Sequence, residues 1–212
     1  MNDKIQTAAA PELASIQIEA TDRSTFLMKG VLAAGAAYGA LAVGPLVRSA
    51  FAQAEDADIE ILNFALTLEF LEAAFYEMAL SEADLDSDAS DLAKLIGDHE
   101  AEHVEALSAT ISDLGGKPVK APGVDFGEAF SSQDAFLELA IVFEDTGVSA
   151  YNGAAPDIKS KELLATAGTI VQIEGRHAAA VRFLAGESPA PEAFDPSLTV
   201  DEVLKAVDPF VK

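Results

Sequence analysis

Six side chains in this chain share a spacing that suits metal chemistry. Glu100 and His103 lie three residues apart, and so do Glu174 and His177. On a helix, that spacing puts both donors on one face, aimed into a common cavity. Glu69 and Glu144 each precede a tyrosine, Tyr76 and Tyr151, by seven residues. Residues at ±3, ±4 and ±7 share a helical face. For Glu69 they are Leu62, Ala65, Leu66, Glu72, Ala73 and Tyr76. For Glu100 they are Ala93, Ile96, Gly97, His103, Val104 and Leu107. For Glu144 they are Leu137, Ala140, Ile141, Gly147, Val148 and Tyr151, and for Glu174 Ala167, Ile170, Val171, His177, Ala178 and Val181. Each glutamate is therefore centred on the stripe that must face a core.

A lone carboxylate in a core loses several kcal/mol of hydration, and four at one level repel one another. Only nine Lys and Arg lie beyond residue 54, and none falls on these stripes. Metal is the remaining counter-charge. Four glutamates balance two divalent ions, and two neutral imidazoles complete a set made of Glu69, Glu100, His103, Glu144, Glu174 and His177. Carboxylate with imidazole suits iron or manganese better than calcium or magnesium, and zinc also fits. Tyr76 and Tyr151 read either as hydrogen-bond donors to the ligands or as plain core aromatics. Glu72, one turn from Glu69, has three readings: an alternative ligand, a residue lining the entrance, or a group paired elsewhere. His99 points about 100° away from Glu100 and reads as a flank residue. Glu102 reads as a solvated charge.

The elements that must hold these residues are helices. Residues 56–80 read as a first helix. A second runs from a cap at Ser87-Asp88 to Leu114 and stops at Gly115-Gly116. A third runs from Ser131-Ser132 to about Gly153, ahead of Pro156, and a fourth from Ser160 to near Gly186. Thr199 can cap a short helix in the tail. Short outer connections make helices 1 and 2 antiparallel, and likewise 3 and 4. The middle loop, with Pro118, Pro122, Gly123 and Gly127, reaches roughly 60 Å when extended, enough to cross a helix of about 38 Å. The expectation is an all-α four-helix bundle over residues 55–186, made of two helix hairpins joined by a long crossover loop. The glutamate–tyrosine pair recurs after 75 residues, and the Glu-x-x-His pair after 74. Such a repeat predicts hairpins related by a pseudo-twofold. Residues 187–212 read as a C-terminal tail with a short helix.

The chain has 212 residues, no cysteine, no tryptophan and a net charge of −23. Absent thiols exclude disulfides, thiolate metal sites and thiol catalysis. The acidity argues against nucleic-acid binding. Residues 1–54 differ from the rest. The stretch from Phe26 to Val47 is nearly uncharged, and Ala50-Phe51-Ala52 and Ala52-Gln53-Ala54 match the A-x-A cleavage pattern. This segment reads as an export signal, with an uncleaved membrane anchor as the alternative. Asp22-Arg23-Ser24-Thr25-Phe26-Leu27-Met28-Lys29 resembles the twin-arginine signal R-R-x-F-L-x-K, with Ser24 in place of the second arginine. The general secretory route therefore stays open. Either route implies an exported protein, located in a bacterial periplasm.

The ligand pattern resembles that of the ferritin-like superfamily over about residues 56–185. The segment from Leu62 to Tyr76 is similar to exported ferritin-like proteins grouped with plant desiccation-related proteins. The resemblance implies that Glu69 and Glu144 are terminal ligands, that Glu100 and Glu174 bridge two metals, and that His103 and His177 each cap one. Ferritins, bacterioferritins, rubrerythrins and manganese catalases bind iron or manganese in this way, and oxidise Fe(II) or consume peroxide or dioxygen. By that resemblance, the partners are metal ions with dioxygen or peroxide, and homo-oligomers are compatible with it. Lacking cysteine, the chain has no rubredoxin domain. A non-enzymatic stress or desiccation role, with metal structural or absent, is the competing expectation.

Overall fold

The computed structural model describes residues 56–212. The export segment at 1–54, with its signal and anchor readings, lies outside the described residues. The described residues form helices α1 (Asp56–Glu82), α2 (Ser87–Asp113), α3 (Gln133–Ala154), α4 (Lys161–Leu184) and α5 (Val200–Val207). Short 3-10 turns follow α3 and α5 at Ala155–Asp157 and Asp208–Phe210. No helix among the described residues is long and apolar enough to cross a membrane.

The helix starts follow local capping chemistry. Ser132 and Ser160 cap α3 and α4 by accepting from the N–H of Ala135 and Leu163. Thr199 and Glu202 form a reciprocal capping box at α5. The second helix differs from expectation, because its cap is Asp86 and Ser87 is already helical. A carboxylate has two oxygens, which explains the choice. Asp86 Oδ1 accepts from Ala89 N at 2.9 Å while Oδ2 accepts from Gln133 Nε2 at 3.0 Å. One side chain thus caps α2 and ties it to the start of α3. At the other end of α2, Gly115 adopts φ 82°, which ends the helix.

The helices α1 and α2 pack as one pair, α3 and α4 as another, with α1 meeting α3 and α2 meeting α4. Asp58 fastens the pairs together. It is buried in the first turn of α1 and accepts from the backbone N–H of Lys159 and Ser160, at 2.8 and 2.9 Å, where α4 begins. One end of the core is aromatic. Phe75 packs against Tyr76, Phe126, Phe130, Phe136 and Phe143 with ring centroids 5.0–5.5 Å apart. Burying a ring of that size contributes about 1.5–3 kcal/mol.

The C-terminal segment is part of this core. Val203 and Val207, one turn apart on α5, are buried against α3. Leu198 N donates to Ser149 O at 3.0 Å, and Val211 bridges Val124 of the crossover. The segment crosses α3 at Gly153, where a Cβ would lie 1.8 Å from Leu198 O. Only glycine permits that approach.

Candidate metal centre

The two helix pairs converge on a layer of carboxylates. Glu69 from α1, Glu100 from α2, Glu144 from α3 and Glu174 from α4 are all fully buried. His103 Nδ1 lies 3.1 Å from Glu69 Oε2, 2.9 Å from Glu100 Oε2 and 3.1 Å from Glu174 Oε1. His177 Nδ1 lies 2.9 Å from Glu100 Oε1, 3.4 Å from Glu144 Oε2 and 3.8 Å from Glu174 Oε2. The six residues singled out by spacing therefore meet in space.

They form two overlapping groups. Glu69, Glu100, His103 and Glu174 offer donor atoms within 4.8 Å of one another, and so do Glu100, Glu144, Glu174 and His177. Glu100 and Glu174 belong to both groups, each turning one oxygen toward each histidine.

Tyr76 and Tyr151 are not plain core aromatics. Tyr76 on α1 donates to Glu144 Oε1 on α3, and Tyr151 on α3 donates to Glu69 Oε1 on α1. Glu144 and Glu69 are thus each held by the tyrosine of the opposite hairpin. Burial first, then the facing carboxylates, push both phenols well above their ordinary value. They keep their protons and act as fixed donors.

Without metal, the layer is held by protons. Burial pushes Glu69 well up and Glu144 up to about 8. Burial also opposes charge on Glu100, but the close approach of His103 and His177 outweighs it and brings Glu100 down to about 2. The imidazoles go the other way. Burial disfavours their charge, yet three carboxylates each raise His103 to about 12 and His177 to about 11.

Even so, the polar groups are incompletely satisfied. Glu100 Oε1, Glu144 Oε2, both Glu174 oxygens and His177 Nδ1 are buried without an aligned hydrogen bond. The 2.9 Å approach of His177 Nδ1 to Glu100 Oε1 is a charge contact, not a directed bond. Orphaned groups converging from three helices, α2, α3 and α4, fit a bound cation, which takes several oxygen and imidazole donors at once.

Two neighbours complete the site. His99, read as a flank residue, is half-buried, and its Nδ1 lies 2.9 Å from His177 Nε2 with the rings 18° from parallel. It is a partner of the outer nitrogen of His177. The 100° offset from Glu100 excludes His99 from the same face of α2, but it carries no information about α4, which packs beside it. Glu72 is buried, 3% exposed, and makes no hydrogen bond or ion pair among the described residues.

The chain matches the family model for the ferritin-like domain over residues 57–187. It belongs to that family. A comparison with curated proteins finds no match.

Proposed function

We propose that this chain is an exported di-metal carboxylate oxidoreductase, with iron the preferred metal and manganese the alternative, that oxidises Fe(II) or consumes peroxide or dioxygen. The observation that carries the reading is the pair of four-residue groups sharing Glu100 and Glu174. Glu69, Glu100, His103 and Glu174 would hold one ion, and Glu100, Glu144, Glu174 and His177 the other. Two such ions, when bound, supply two-electron exchange with dioxygen or peroxide.

The chain's own residues supply the rest. Glu100 and Glu174 keep the two positions adjacent. Tyr76 and Tyr151 fix the rotamers of Glu144 and Glu69 through hydrogen bonds. Full burial of the four glutamates supports a site shielded from bulk water, where fixed charges act more strongly. Export is supported by the apolar stretch at 26–47 and the A-x-A sites that follow it.

Elemental analysis of purified protein is the test. About two Fe or Mn per chain are expected, lost in Glu100→Ala. Protein that retains no metal after reconstitution overturns the reading. Oxygen or peroxide uptake after Fe(II) loading then separates catalysis from a structural clamp, and full occupancy with no uptake favours the clamp.

A further inference from the structure

The sequence repeat that relates the hairpins differs at two positions whose polar side chains reach the site, and both fall around the same half of the centre. The offset of 75 that carries Glu69 to Glu144 and Tyr76 to Tyr151 carries Glu72 to Gly147. The offset of 74 that carries His103 to His177 carries His99 to Ile173. His177 thus has a hydrogen-bonding neighbour where the related position beside His103 offers only an alkyl group.

The Glu72–Gly147 exchange is a physical fit. A Cβ at Gly147 would lie 3.0 Å from Glu72 Oε1 and 3.4 Å from Glu174 Oε2. The absent side chain leaves a notch, and the Glu72 carboxylate fills it, facing Glu174. The oxygen it faces is the one turned toward His177, since the other Glu174 oxygen lies 3.1 Å from His103. That facing oxygen is itself an orphan. Behind Glu72 lies a cleft of about 10 Å³ lined by Leu68, Leu71, Phe143, Thr146 and Val207, room for roughly one water. Among the described residues, nothing basic lines it. A carboxyl group this buried, without a donor among the described residues and beside a second unpartnered carboxylate, must either keep a proton or share a cation with its neighbour.

We propose that Glu72 is a seventh metal-ligating residue, bound to the ion held by Glu144 and His177, so that the two ions of the centre have unequal ligand sets. The inference rests on the di-metal reading above. It makes the position next to His177 richer by one carboxylate, and therefore the tighter of the two for a divalent cation.

The test is an oxygen-free titration of the full-length chain with Co(II), followed by calorimetry and visible absorption. Wild type is expected to take up two ions in two unequal steps. Glu72→Gln is expected to weaken the tighter step by about tenfold or more and change its absorption, leaving the other step in place. Glu144→Gln should weaken the same step, and Glu69→Gln the other. Gly147→Ala, whose methyl displaces Glu72 from the notch, should reproduce the Glu72→Gln result with the carboxylate still present. Far-UV circular dichroism of each variant reports folding. A folded Glu72→Gln with unchanged affinities overturns the proposal, as does one that changes only the rate of uptake or weakens both steps equally. Wild type that binds no Co(II), Fe(II) or Mn(II) overturns the di-metal reading itself. Two ions bound by wild type with no effect of Glu72→Gln overturns only the seventh ligand.

Discussion

Tyr151 reaches from α3 to Glu69 on α1 and donates its phenolic hydrogen bond to a carboxylate that has no exposure to solvent. Tyr151→Phe leaves one buried acceptor oxygen without its donor. The expected loss in the metal-free protein is about 1–3 kcal/mol, read from urea unfolding. Tyr76→Phe should cost a similar amount through Glu144. Unchanged unfolding midpoints would show that neither bond matters to the fold.

His99 holds the outer nitrogen of His177. Its removal in His99→Ala should weaken the ion bound beside His177 by about 10–100-fold and spare the ion beside His103. Metal titration resolves the two. His99→Gln, which restores a hydrogen-bonding group, should recover part of the loss.

The pH dependence of the metal-free protein has a definite sign. Glu144 is raised from 4.5 to about 8, so across that interval the unfolded chain has lost a proton that the native chain keeps. Stability therefore falls as pH rises. The histidine contributions are complete below 6.5 and are lost as pH climbs toward about 11 for His177 and about 12 for His103. Glu100 acts oppositely, and its contribution is lost as pH falls from 4.5 toward about 2. Melting temperatures should decline steadily from pH 5 to pH 10. Metal competes with the same protons, so its affinity should rise over that range, with protons released on binding at pH 7. A pH-independent affinity contradicts this account.

Gly153→Ala places a methyl against Leu198 O, an approach of 1.8 Å that the backbone cannot accept. The crossing segment must lift from α3. The expected cost is about 1–3 kcal/mol, accompanied by faster proteolysis between residues 187 and 200. Equal cleavage rates in the variant and wild type would contradict the close crossing.

Much of the site was legible because a glutamate in the middle of an apolar stripe is conspicuous. Periodicity places Glu69, Glu100, Glu144 and Glu174 inward whatever the neighbouring helix is. What periodicity lacks is the identity of that neighbour. The tyrosine spacing marked Tyr76 and Tyr151 as facing the core, but their bonding to the opposite hairpin depends on how α1 and α3 approach. His99 escaped for the same reason, since only the contact of α2 with α4 brings it to His177. The tail reads as an appendage because α5 has eight residues, too few for a periodic signal. Its burial depends on Gly153 and the bridge from Val124 to Val211. At α2, both Asp86 and Ser87 are good caps, and a long-range bond to Gln133 settles the choice.

The crossed tyrosines and shared glutamates also make the two hairpins depend on each other. Glu69 comes with Glu100 and His103 on one hairpin, and Glu144 with Glu174 and His177 on the other, yet each set of four donors borrows a residue from its neighbour. Separating the hairpins would therefore dismantle both sets of donors at once, and would strip Glu69 and Glu144 of their tyrosines as well. Occupancy of the centre and docking of the hairpins are one equilibrium.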